Sequence, residues 1–235
     1  GFLNLFDFHP VAFSIPALLL AHWALNEDRP YVFWAMIGVS LSTKEEMVVP
    51  IAAFGIYCLT QRRWRKKGCW LVILATVWAL TCFFFLIPAH NEGRPYRFLR
   101  LWQHLLPAAG SGMQPLSGLV DRLLSRGVMY FLIHLLVPLA FLPFLGPAII
   151  AVALPSTAYL LTSKSSHLYQ IGSQYPAVLI PWALLATVRG LSRIEEWPWS
   201  SEIMRRWLPA GLLVTGTLGA NLVVNPVYVA WRSGY

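Results

Sequence analysis

The sequence predicts an all-α fold, a polytopic transmembrane bundle of about seven or eight membrane helices. Three observations carry that prediction. Charged residues make up 12% of the 235-residue chain, where an ordinary soluble domain carries about 25%. Hydrophobic residues reach 57% and the mean hydropathy is +0.58. The apolar residues fall into runs close to the roughly 17–25 residues that cross a bilayer, with the basic residues gathered between them.

The runs cover residues 10–25, 31–43, 47–60, 69–89, 127–145, 147–163, 175–190 and 208–224. Stretches 31–43 and 47–60 are short for a span and are separated by Lys44-Glu45-Glu46. They are either two tilted helices meeting at one surface or one long helix bent around a buried charged site. Prolines within the spans (Pro16, Pro50, Pro138, Pro143, Pro155, Pro181, Pro209) predict several kinked or broken helices. The whole of 1–235 reads as a single membrane domain. Its start on Gly1 and an aromatic segment suggests an internal stretch with further helices upstream.

Orientation follows from the basic loop 61–68, where Arg62, Arg63, Arg65, Lys66 and Lys67 cluster; positive charge of that density belongs in the cytoplasm. Counting outward places 26–30 and the loop 191–207 inside, and Lys44-Glu45-Glu46, the loop 91–126 and 164–174 outside. Counted with Arg189 at the border of the loop 191–207, ten of the 18 Lys and Arg then lie inside. Residues 97–106 interleave cations with an apolar stripe and suggest an amphipathic helix on the outer surface. A second such helix is expected over 194–207, with Trp197, Trp199 and Trp207 at headgroup level.

Composition excludes several functions. The net charge of +8 comes without a nucleic-acid motif. Cys58, Cys69 and Cys82 lack CxxC spacing and read as small apolar residues. No P-loop, GxSxG, HExxH or Rossmann glycine pattern occurs, so nucleotide hydrolysis, serine-hydrolase chemistry and a tight zinc site have no foothold. Single His22, His104 and His134 read as packing or interface residues.

Three clusters fall on the predicted outer side. Asp7-Phe8-His9-Pro10 opens the first span, Thr43-Lys44-Glu45-Glu46 separates two runs, and 163–175 gathers Lys164, His167, Tyr169, Gln170, Gln174 and Tyr175. Charge between apolar runs needs partners, water or a ligand. Glu45 and Glu46 can act as a base or hold a divalent cation, and Lys44 can offset a phosphate; the plain alternative is a solvated turn. His9 either caps a helix or orients a substrate. Arg94 and Arg97 are surface charge taken singly, and as a pair suit a phosphate or an anionic lipid headgroup.

Asp7-Phe8-His9-Pro10, Ile15-Pro16, Thr43-Lys44-Glu45-Glu46, the Arg-rich loop, Gly93-Arg94-Pro95-Tyr96, Ala153-Leu154-Pro155-Ser156 and Ile171-Gly172-Ser173-Gln174-Tyr175 occur in that order. Together they resemble a family of predicted bacterial and archaeal multi-pass membrane proteins of unknown function, over most of residues 1–190. That family is distantly similar to the GT-C glycosyltransferases, which transfer a sugar from a polyprenyl-phosphate donor outside the cytoplasm. The resemblance implies a GT-C-like bundle and a cell-envelope role. The GT-C base usually lies on a first outer loop that has no counterpart here, so Asp7, His9, Lys44, Glu45 and Glu46 are left as supporting residues.

Three functions follow in order. The first is a transferase using a polyprenyl-phosphate sugar, with Glu45, Glu46 and Asp7 in catalytic roles and His9, Lys44, Arg94, Arg97, Lys164, His167, Gln174 and Tyr175 contacting substrate. The second is a transporter or lipid-handling protein, and the third a non-catalytic subunit of a membrane complex. Membrane lipids are the expected partners in each case, and the sequence leaves the oligomeric state open.

Overall fold

The computed structural model describes residues 9–90, 123–163, 165–170, 173–198 and 202–224. Among these residues every regular element is helical, so the all-α expectation holds. The chain divides into two compact units, residues 1–125 with 152–181 and residues 126–151 with 182–235.

The first unit begins with two helical hairpins. A tight turn at Pro10–Phe13 leads into α1 (Ser14–Asn26), and α2 (Pro30–Thr43) returns against it. Asp28 makes the reversal in the left-handed region at φ 51°, and Pro30, with its fixed φ and missing N–H, suits the first helical position. Then α3 (Val48–Thr60) packs along α4 (Arg65–Thr81). Leu18, Ala21 and Leu25 of α1, Phe33 and Ile37 of α2, Ile51 and Phe54 of α3, and Leu71 of α4 are fully or almost fully buried. Phe33 and Phe54 meet edge to face at 6.2 Å and tie the hairpins together.

Two features bear on the predicted topology. Asp28 in the α1–α2 turn forms ion pairs with Arg63 and, at 3.4 Å, with Lys67. The segments 26–30 and 61–67 therefore sit at one end of the hairpins, as the basic-loop reading expects. Neighbouring Arg63 and Lys67 hold the Asp28 carboxyl below its ordinary value, chiefly through the Arg63 hydrogen bond. At the other end of α2, 14 residues and about 21 Å away, the chain breaks at Lys44. The alternatives for 31–60 thus resolve to two helices, joined by an extended Lys44 and a 3-10 turn at Glu45–Met47.

Helix length bears on the expected number of spans. With 13, 14 and 13 residues, α1, α2 and α3 fall short of a hydrocarbon core about 30 Å thick. Among the described residues one helical stretch, Arg62–His90, is long and apolar enough to cross a membrane. Its outer face carries Trp70, Ile73, Val77, Leu80 and Phe84, all at least half exposed, the all-round apolarity of a helix facing lipid. A π-turn at Cys82–Leu86 precedes α5 (Ile87–His90). Pro88 lacks a donor and crowds the carbonyl four residues earlier, and the widened turn accommodates it.

In the second unit the expected span 127–145 is broken. Helix α6 (Arg126–Leu136) gives way to 3-10 turns at Val137–Leu139 and Leu142–Leu145, with Ala140 and Phe141 between them in the left-handed region at φ 49° and 56°. Pro138 and Pro143 remove donors there and prevent a continuous helix. Next come α7 (Pro147–Thr162), which contains Pro155 and whose residues 152–162 belong to the first unit, α8 (Ile180–Glu195) and α9 (Glu202–Val224). The helix expected over 194–207 is corrected to the end of α8 and the start of α9. The outer loop 91–126 lies outside the described residues up to position 122.

Close backbone approach sets the α3–α4 packing. A Cβ on Gly68 would come within 2.7 Å of the Gly55 carbonyl oxygen and 2.8 Å of the Leu59 nitrogen, whereas one on Gly38 would meet nothing within 4 Å. Gly68→Ala is expected to lower stability by about 1–3 kcal/mol, while Gly38→Ala gains about 0.5–1 kcal/mol; thermal unfolding in one lipid mixture compares them. Asp28→Asn keeps a residue that tolerates φ > 0 and removes the ion pairs, with an expected small loss that salt screens further. Asp28→Ala adds roughly 1–2 kcal/mol of backbone strain, so the difference between the variants measures the turn and not the charge.

Candidate functional site

The site forms where α2 ends. Lys44 is extended at φ −166° and ψ 145°, which stops the helix and turns the chain into the Glu45–Met47 turn. That break rotates Glu46 inward. Its side chain is 8% exposed, and Lys44 Nζ lies 3.0 Å from Glu46 Oε2. The Tyr159 hydroxyl of α7 donates to the same oxygen at 3.1 Å. Glu46 Oε1 is buried without a hydrogen-bond partner among the described residues.

The third sequence cluster closes over the second. The Lys44 ammonium stands 4.0 Å from the centroid of the Tyr175 ring, in cation–π contact. The His167 ring meets Tyr175 edge-on at 6.2 Å, and His167 Nδ1 lies 3.2 Å from Gln170 Oε1. Two short 3-10 turns, Ser166–Tyr169 and Tyr175–Val178, hold these side chains in place. The Tyr175–Val178 turn packs against Pro10–Phe13 and α1. His9 precedes Pro10–Phe13 as its N-terminal cap, with no side-chain capping bond.

The structure therefore joins Lys44, Glu46, His167 and Tyr175 into one cluster and sets the His9 turn against it. Glu45 is half-buried in the same 3-10 turn. Gln174 caps the Tyr175–Val178 turn through its backbone carbonyl, which accepts from Ala177 N–H at 3.1 Å. Asp7, Arg94, Arg97 and Lys164 lie outside the described residues. Among the described residues no three His, Cys, Asp or Glu side chains gather into a metal-binding group. A divalent cation would have Glu45 and Glu46 as its nearby carboxylates.

Tyr159 was not singled out by sequence reasoning, because it sits within the apolar run 147–163. The available signal was its company: Ser156, Thr157 and Ser163 share that stretch, and Ser156 and Ser163 are buried. Polar residues repeating along an apolar helix mark a face turned toward other polar groups.

Electrostatically, Glu46 is a contest that burial wins. Desolvation raises its pKa, while the Lys44 charge and the hydrogen bonds from Lys44 and Tyr159 pull it down. A carboxyl that holds its proton more tightly when folded adds stability below the ordinary value of 4.5, lost as pH rises through the raised one. The unfolding midpoint of the native chain minus that of Glu46→Gln should accordingly decline across this window. Tyr159→Phe removes a donor that favours the carboxylate and should carry the decline to higher pH. A difference independent of pH would mean that Glu46 ionises as freely folded as unfolded.

No curated protein and no solved structure matches the chain. A family described as "Predicted membrane protein (DUF2079)" matches residues 2–232. That range takes in both units and every element of the Lys44–Glu46 cluster, in agreement with the resemblance read from the motifs. The chain belongs to this DUF2079 family of predicted membrane proteins.

Proposed function

We propose that the chain is a membrane-embedded transferase of GT-C type, acting on a polyprenyl-phosphate-linked sugar at the outer face. The observation that carries the reading is the Glu46 carboxylate: buried, anchored through one oxygen by Lys44 and Tyr159, and with Oε1 unpartnered among the described residues. A base of that kind is oriented and has its proton affinity raised toward neutrality, which general-base catalysis requires. In the proposed step the oxygen of an acceptor hydroxyl bonds to the anomeric carbon, and the bond from that carbon to the phosphate oxygen breaks. Polyprenyl phosphate leaves with the electron pair, and the hydroxyl proton passes to a carboxylate of the Glu45–Glu46 pair. Lys44, with Arg94, Arg97 and Lys164, would meet the charge developing on the phosphate. His9, His167, Gln174 and Tyr175 would line the sugar, and a divalent cation at the carboxylates would assist the leaving phosphate.

The test is sugar transfer by the chain reconstituted in lipid with a polyprenyl-phosphate sugar. Glu46→Gln is expected to lower turnover by about 10²–10⁴-fold, the usual worth of a general base. Lys44→Ala should abolish the rise in unfolding midpoint that the donor produces through a stabilisation of about 2.7 kcal/mol at 100 times its dissociation constant. Unchanged turnover in Glu46→Gln removes this residue from catalysis.

A protonatable carboxylate between apolar helices also favours a second reading, transport coupled to protons. Solute flux across sealed vesicles that requires a pH gradient and disappears in Glu46→Gln would establish it, since a transferase needs no gradient.

A further inference from the structure

The end of α8 carries a second cationic site, independent of the cluster around Glu46. The helical path continues past Glu195, because Glu196 N–H bonds to the Ser192 carbonyl and Trp197 N–H to that of Ile194. Arg189, Arg193 and Trp197 are thus spaced four residues apart and share one face. The Leu142–Leu145 turn stands opposite, admitted by Gly190, where a Cβ would collide with the Leu142 carbonyl. Between them is a cavity of about 270 Å³ lined by Leu145, Arg193, Ile194, Glu196 and Trp197.

The two arginines are not equivalent. Arg189 faces Glu196 at 3.9 Å. Arg193 has no carboxylate within 4.0 Å among the described residues, and its Nη1 donates to the Leu145 carbonyl at 2.7 Å. That bond uses one of five guanidinium donors and fixes the plane of the group, so a planar fork is held ready at the cavity wall. Trp197 at the rim is 62% exposed, and Val188 and Phe144 in the same unit are about 60% exposed. A fixed guanidinium among exposed apolar side chains with a tryptophan beside it has the chemistry of a headgroup-level site.

We infer that this cavity holds the phosphate of an anionic membrane phospholipid, with Arg193 as its cation and Trp197 against the glycerol region. Charge complementarity selects the occupant: Glu196 offsets Arg189, and Arg193 supplies the remaining positive charge. The volume admits a headgroup, with the acyl chains running out over the apolar surface.

The experiment uses the full chain in neutral detergent, titrated with mixed micelles of phosphatidylglycerol or phosphatidylcholine, or with inorganic phosphate. Lipid retained per protein and the unfolding midpoint are both read. Phosphatidylglycerol should be retained about tenfold more strongly by the native chain than by Arg193→Gln, as the loss of a charge-assisted phosphate contact predicts. Arg193→Lys should recover part of the retention, because it restores charge without the fork. Trp197→Ala leaves the Leu145 clip intact and should weaken retention without lowering the lipid-free midpoint. Equal retention of phosphatidylglycerol by Arg193→Gln and the native chain overturns the assignment. Equal response to phosphatidylcholine overturns the requirement for an anionic lipid, and full reproduction by inorganic phosphate overturns the lipid as occupant.

Discussion

The first unit depends on how a carboxylate can be buried between apolar helices. Glu46 is excluded from solvent on all but 8% of its side-chain surface, and an ionised carboxylate in that position is costly unless it is paired and hydrogen-bonded. Lys44 and Tyr159 supply both. Meeting that requirement dictates the local structure: α2 must stop at Thr43, Lys44 must be extended so that its ammonium can fold back, and α7 must present Tyr159 rather than an aliphatic residue at the contact. Tyr175 then covers the ammonium with its ring.

The same reasoning links stability to chemistry. A pair that only stabilised would use every oxygen, and hydrophobic groups of similar volume would often serve as well. Here one carboxylate oxygen carries both partners while the other has none among the described residues. Burial tilts the carboxyl toward its protonated form. Local energetics of this kind are a departure from the best packing, and such departures concentrate where a protein acts.

At the opposite end of the hairpins the electrostatics follow other rules. Asp28 and Arg63 are mostly solvent-exposed and Lys67 is partly buried; ion pairs to so exposed a carboxylate contribute little and are screened by salt. Their value is positional: they hold the α1–α2 turn against the basic segment that opens the long apolar helix. That helix shows an apolar face outward over most of its length, while the Asp28 and Glu46 ion pairs stand at opposite ends of α2.

By itself the sequence determined the class and the ends of the molecule. The scarcity of charge and the apolar runs led to helices in a membrane protein, the break at Lys44-Glu45-Glu46 was legible as three charges between two apolar stretches, and the segments 26–30 and 61–68, read onto one side, meet at one end of the hairpins. These properties are local, because burying charge is costly wherever it occurs. Tertiary structure decided what contacts supply. Tyr159, the hydrogen-bond donor to Glu46, is 113 positions away, in a run whose composition says only that it is apolar. The shortness of 31–43 and 47–60 and the prolines Pro138 and Pro143 were legible in the sequence, but the run 127–145 turns at Ala140 and Phe141, whose left-handed backbone no composition or period announces. Hydropathy averages over a window, whereas helix ends and ion pairs depend on single backbone angles and on residues distant in the chain.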